Sequence, residues 1–88
     1  MSIRVTYFAQ AARLIGRDTE MYEAVDLKSL LKGVYQRNGS NVENLICSSD
    51  GEPVPWILID VDGELVRDQH LALSPGTHVR FISPISGG

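Results

Sequence analysis

From Ser2 to Phe8 the side chains alternate: Ile3, Val5 and Tyr7 point to one side, Arg4, Thr6 and Phe8 to the other. A period of two among β-branched and aromatic residues predicts a strand. "AQAARLIGRD" then predicts a short helix, rich in Ala, Arg and Leu and stopped by Gly16. "TEMYEAV" returns to alternation, with Met21 and Tyr22 marking a second strand, so the chain opens as a hairpin whose turn holds a helical insert. The period changes after Asp26. Leu27, Leu30, Leu31 and Val34 recur at i, i+3, i+4 and i+7, one apolar stripe on a helix. Asp26 precedes it as an N-cap, because its carboxylate accepts hydrogen bonds from free helix N–H groups, and Gly39 closes it.

From Ser40 to Pro55 the pattern weakens; "NVENLI" suggests a helical turn, and "SSDGEPVP" is turn chemistry. "WILIDV", residues 56–61, reads as a strand too apolar to be half exposed along its length. Asp62-Gly63 is a two-residue hairpin signal leading into "ELVR". After the "LSPG" turn, "THVRFIS" forms the last strand, with Val79 and Phe81 on one face and His78, Arg80 and Ile82 on the other. The order ββαβββ predicts an α+β domain: a mixed sheet of four to five strands on one main helix. The first and last strands are apolar enough to lie side by side, parallel, at its centre.

These faces expose a mismatch. If Ile3, Val5, Tyr7, Ile57, Ile59, Val79 and Phe81 meet the helix, then Phe8, Leu58, Leu65 and Ile82 fall on the opposite face, which no second layer covers. An apolar patch bordered by Arg4, Arg67, His78 and Arg80 is expected there, and contiguous exposed apolar surface on a small domain marks a partner site.

Composition narrows the chemistry. Eighty-eight residues make one domain, and a net charge of -3 argues against a nucleic-acid or anionic-membrane partner. No stretch approaches a membrane span and the N-terminus lacks the pattern of a signal peptide, so a cytoplasmic protein is expected. Cys47 is the single cysteine, which excludes an internal disulfide and a four-cysteine iron–sulfur cluster, and reads as a small hydrophobe in a loop. His70 and His78 lack metal-ligand spacing, so no metal and no bound cofactor are expected. Asp60, Asp62 and Glu64 read as a solvated hairpin, and "SSDG" and "SPG" as turns without the lysine of a phosphate loop.

The chain ends "FISPISGG", and its two final glycines are out of proportion to ordinary usage. Together with "VTYFAQAARLIG", "VDGELV" and "LSPGTHVRFISP", this end resembles the small subunit of molybdopterin synthase. More broadly it resembles the ubiquitin-like (β-grasp) sulfur carriers, which include the thiamin-pathway carrier. The resemblance spans nearly the whole chain and departs at Asp62, Thr77, Ser83 and in the long 39–55 segment, which bears on the pathway more than on the class.

The resemblance implies a β-grasp domain over residues 1–82 and a flexible tail over 83–88. It implies a carrier that is not an enzyme on its own. An E1-like adenylyltransferase uses ATP to activate the free carboxylate of Gly88, which becomes a thiocarboxylate, with Gly87 beside it. A Gly-Gly end suits this role, because without Cβ atoms it enters a narrow channel and takes dihedrals closed to other residues. Extended at ~3.3 Å per residue, the tail reaches roughly 20 Å into a partner. The resemblance further implies that Phe8, Leu65 and Ile82 contact the large catalytic subunit of molybdopterin synthase in a heterotetramer, while Pro84, Ile85 and Ser86 enter it. Sulfur carriage in another pathway (thiamin, cysteine, tRNA thiolation), attachment of Gly88 to lysines as a protein modifier, and a docking domain with an inert tail remain open alternatives.

Overall fold

The computed structural model describes residues 2–83. Strand β1 (Ser2–Tyr7) is followed by helix α1 (Gln10–Ile15), strand β2 (Thr19–Glu23) and helix α2 (Leu27–Asn38), then a 3-10 turn at Gly39–Val42. Strands β3 (Leu58–Val61), β4 (Glu64–Val66) and β5 (His78–Ile82) complete one five-stranded sheet in the order β2-β1-β5-β3-β4. β1 and β5 are parallel neighbours at the centre, as the sequence pattern predicts, and every other pairing is antiparallel. This is the β-grasp, ubiquitin-like arrangement.

Local chemistry explains the boundaries. Asp26 Oδ1 accepts the Ser29 N–H at 2.8 Å while Ser29 Oγ accepts the Asp26 N–H at 3.2 Å, a reciprocal cap that starts α2. Leu27, Leu30, Leu31 and Val34 are wholly buried against the sheet, each Leu contributing roughly 2 kcal/mol. Ile3, Val5, Tyr7, Ile57, Ile59, Val79 and Phe81 meet them from the sheet side, and the Tyr7 and Phe81 rings stack with centroids 6.1 Å apart. Asp62 and Gly63 both adopt positive φ (50° and 94°), the geometry of a type I′ turn, which aligns Val61 with Glu64.

One segment differs from expectation. "WILIDV" is not buried along its length: β3 begins only at Leu58, and Trp56 and Leu58 are exposed while Ile57 and Ile59 are buried. The sheet has one covering layer, so even an apolar run must show every second residue to solvent. The 39–55 stretch, where the sequence pattern is weak, packs into the core. Its Val42, Ile46 and Cys47 are fully buried, and Gly51 backs onto α2 so closely that a Cβ there would sit 3.0 Å from the Lys28 carbonyl oxygen. Burial pushes the Cys47 thiol up to about 12, so it stays protonated at neutral pH and donates to the Leu31 carbonyl at 3.3 Å.

Candidate functional site

The uncovered face of the sheet is built by three strand registers. In β1 and β5, Arg4 lies beside His78 and Thr6 beside Arg80. The same register sets Tyr7 beside Phe81 and carries Phe8 toward the row of Ile82. Leu58 pairs directly with Ile82, and Leu65 with Asp60, so Leu58, Leu65 and Ile82 share this face, while Phe8 follows the last residue of β1 and is exposed. Phe8 is 40%, Leu58 39% and Leu65 62% exposed, and Ile82 is half-buried. Between β3 and β4 the cluster opens into a groove of about 320 Å³, lined by Pro55, Ile57, Leu58, Leu65 and Arg67 among others.

Arg67 closes the end of that groove by donating to the carbonyls of Ile57 at 3.0 Å and Val54 at 3.2 Å. Phe8 is presented by a strained corner: Ala9, next in the chain, holds φ 56°, a conformation ordinary for glycine, before α1 begins. Ile82 ends β5, so the chain leaves the sheet beside this cluster. Pro84, Ile85, Ser86, Gly87 and Gly88, the residues expected to act in the partner, lie outside the described residues.

The cationic border is unequally engaged. Arg80 pairs with Asp60 at 3.1 Å, and Asp60 also accepts the Gly63 N–H at 3.0 Å. His78 Nε2 is 2.7 Å from Thr6 Oγ1, and Nδ1 is 3.5 Å from Arg4 Nη2. Burial, then the charges of Arg80 and Arg4, hold the His78 imidazole below its usual range, so it is neutral at physiological pH. Met21, paired with Arg4, adds an exposed apolar residue that the sequence reading did not place on this face. Strict alternation in β2 was the available signal. Among the described residues no group of three metal-ligating side chains occurs, and no helix is long and apolar enough to cross a membrane.

Fold and face together define a ubiquitin-like domain with an exposed apolar patch beside the end of its last strand. Residues 5–88 match the ThiS family, and the chain belongs to that family of ubiquitin-like sulfur carriers. The structure is similar to that of SAMP1 from Haloferax volcanii (22% identity, TM-score 0.85, all of both chains covered). It is also similar to a chain in the complex of subunits 1 and 2 of molybdopterin-converting factor from Helicobacter pylori (19%, TM-score 0.68, all of both chains). A third similar structure is the BexX/CysO complex of Amycolatopsis orientalis (13%, TM-score 0.79, 98% of this chain and 99% of that one). No curated protein sequence matches the chain.

Proposed function

We propose that the chain is the sulfur-carrier subunit of a molybdopterin synthase. The observation that carries this reading is the position of the Phe8, Leu58, Leu65 and Ile82 cluster where β5 leads into the Gly-Gly end. A partner seated on that patch receives the tail directly. Similarity to a chain of the H. pylori complex supports molybdopterin as the destination of the sulfur.

In this reading an E1-like adenylyltransferase joins the Gly88 carboxylate to AMP, releasing pyrophosphate. A sulfur nucleophile then displaces AMP, which departs with one carboxylate oxygen. The thiocarboxylate passes its sulfur to a pterin precursor inside the large subunit, which supplies the catalytic groups. ATP is consumed by the activating enzyme; the carrier itself binds no cofactor.

Intact mass after incubation with ATP, a sulfur donor and the activating enzyme tests the first half. Exchange of one oxygen for sulfur is expected; an unchanged mass beside a second carrier that does react overturns it. The docking half is tested at Leu65, whose exposure means that Leu65→Glu leaves the fold intact. That variant weakens binding to the large subunit by about tenfold or more, read by calorimetry, because a charge replaces an apolar contact at the centre of the patch.

Protein modification is the second reading, favoured by the likeness to SAMP1, small archaeal modifier protein 1 of H. volcanii. Here a lysine amine displaces AMP and forms an isopeptide. A ladder of conjugates in extracts probed for the tail supports it, and its absence leaves sulfur transfer alone.

A further inference from the structure

The uncovered sheet face sets charged groups of both signs around its apolar cluster. Arg4, Arg80 and the neutral His78 stand side by side on β1 and β5. The carboxylates of this face are already engaged. Asp60 holds Arg80, Asp62 accepts the His78 backbone N–H at 2.9 Å, and Glu23 accepts the Ser2 hydroxyl at 3.3 Å. Arg67 spends its guanidinium on two backbone carbonyls. Arg4 is the exception: among the described residues no carboxylate pairs with it, and its contact is the 3.5 Å approach to His78 Nδ1.

That contact favours one tautomer of the neutral ring. A guanidinium only donates, so Nδ1 accepts, and the ring proton sits on Nε2 and points to Thr6 Oγ1 at 2.7 Å. The groups facing the ring are Arg4 and Thr6 from β1, Arg80 from β5, Asp60 from β3 and Asp62 from the following turn. β2 adds Met21 to the same row and Glu23 one pair further along. A second proton on the ring would meet two arginines unless a new anion arrived.

We propose that the partner covering this face seats a side-chain carboxylate on Arg4 and His78, flanked by aliphatic residues over Leu58, Leu65 and Ile82, and that docking raises the share of molecules carrying a proton at His78 Nδ1. The proton comes from solvent. Nδ1–H then donates to the incoming carboxylate, Nε2–H keeps its bond to Thr6, and the Arg4 fork turns from the ring to the same carboxylate. The proposal rests on the docking role given to this face above and adds the chemistry of what docks. Because the anion raises the affinity of the ring for its proton, binding strengthens as pH falls from about 8 toward 6 and weakens as pH rises.

The test uses the full chain, isotopically labelled, and two capped peptides, acetyl-Ser-Leu-Glu-Leu-Ser-amide and its Gln counterpart. Chemical shifts are followed at millimolar peptide across the histidine range. The Glu peptide is expected to shift Leu58, Leu65 and Ile82 and to move the His78 ring titration upward by about half a pH unit. That is equivalent to about threefold tighter binding at the acidic end. The Gln peptide binds the apolar residues without pH dependence, and His78→Gln removes the pH dependence of the Glu peptide.

Equal binding of both peptides at the patch, or an unmoved His78 titration, overturns the carboxylate proposal and leaves apolar docking in place. Absence of any shift at the patch overturns both. Neither readout involves ATP or the tail, so failure of sulfur loading is a separate result.

Discussion

Removing Gly87 and Gly88 is expected to abolish ATP-dependent sulfur loading, a loss of at least about a hundredfold, while the melting temperature stays unchanged. The truncated chain still ends in a carboxylate, now on Ser86. That carboxylate falls short by roughly 7 Å of extended chain and carries a Cβ where the activating site takes a glycine. Among the described residues the core runs from Ile3 to Phe81, all of which the cut leaves in place. Intact mass and thermal melting of the two proteins, side by side, separate these effects. Sulfur loading retained after truncation removes the carrier role from Gly88, and a lowered melting temperature assigns the tail a structural part.

The elements legible in the sequence were those whose signals are local. Asp26 and the Leu27 to Val34 stripe announce α2 within a dozen residues, and Asp62-Gly63 announces its own turn. The uncovered face was legible for a different reason. Period-two alternation in β1 and β5 assigns Arg4, Thr6, His78, Arg80 and Ile82 to one side without any knowledge of the partner strands.

The 39–55 segment was opaque because its supports are remote. Gln69 Nε2 donates to the Gly51 carbonyl at 2.6 Å, and Val54 N–H reaches Ile46 O at 2.8 Å. "WILIDV" misled because a run without polar residues has no phase; only the count of layers shows that Trp56 and Leu58 face out. The tail is the reverse case: the role proposed for it rests on the Gly-Gly end and the family match over residues 5–88, and residues 84–88 lie outside the described residues.

Glu20 was missed altogether, and it carries the second large effect. Alternation in "TEMYE" places it on the buried side with Tyr22, where a lone acid looks like an error of phase. Its side chain is 3% exposed, and its Oε1 accepts from the hydroxyls of both Tyr7 and Tyr22 at 2.7 Å. Asn38 Nδ2 reaches the Tyr22 hydroxyl at 3.3 Å, tying α2 to the pair, and Arg37 lies 3.9 Å over the Tyr22 ring. Arg17 and Arg37 each stand 3.8 Å from Oε2.

Burial raises the proton affinity of this carboxyl, but the two tyrosine hydroxyls and Arg37 outweigh it and hold the group below the usual carboxylate range. Burial and the neighbouring carboxylate push Tyr22 up to about 12, so both phenols remain donors at neutral pH. Replacing the carboxylate in Glu20→Gln forfeits two charge-assisted bonds and leaves polar groups poorly matched in the interior. A loss of about 3 kcal/mol at neutral pH follows, from a domain with on the order of 5–10 kcal/mol in total.

A carboxyl held below its unfolded-chain value stabilises the fold above about pH 4.3, and that contribution is lost as pH falls through the folded value. The gap in urea midpoint between wild type and Glu20→Gln is therefore wide at neutral pH and narrows in strong acid. Urea unfolding of both proteins at about pH 7 and about pH 3 measures it. A gap of the same size at both pH values means that the amide fails by shape, and that the charge on Glu20 contributes nothing to holding β1, β2 and α2 together.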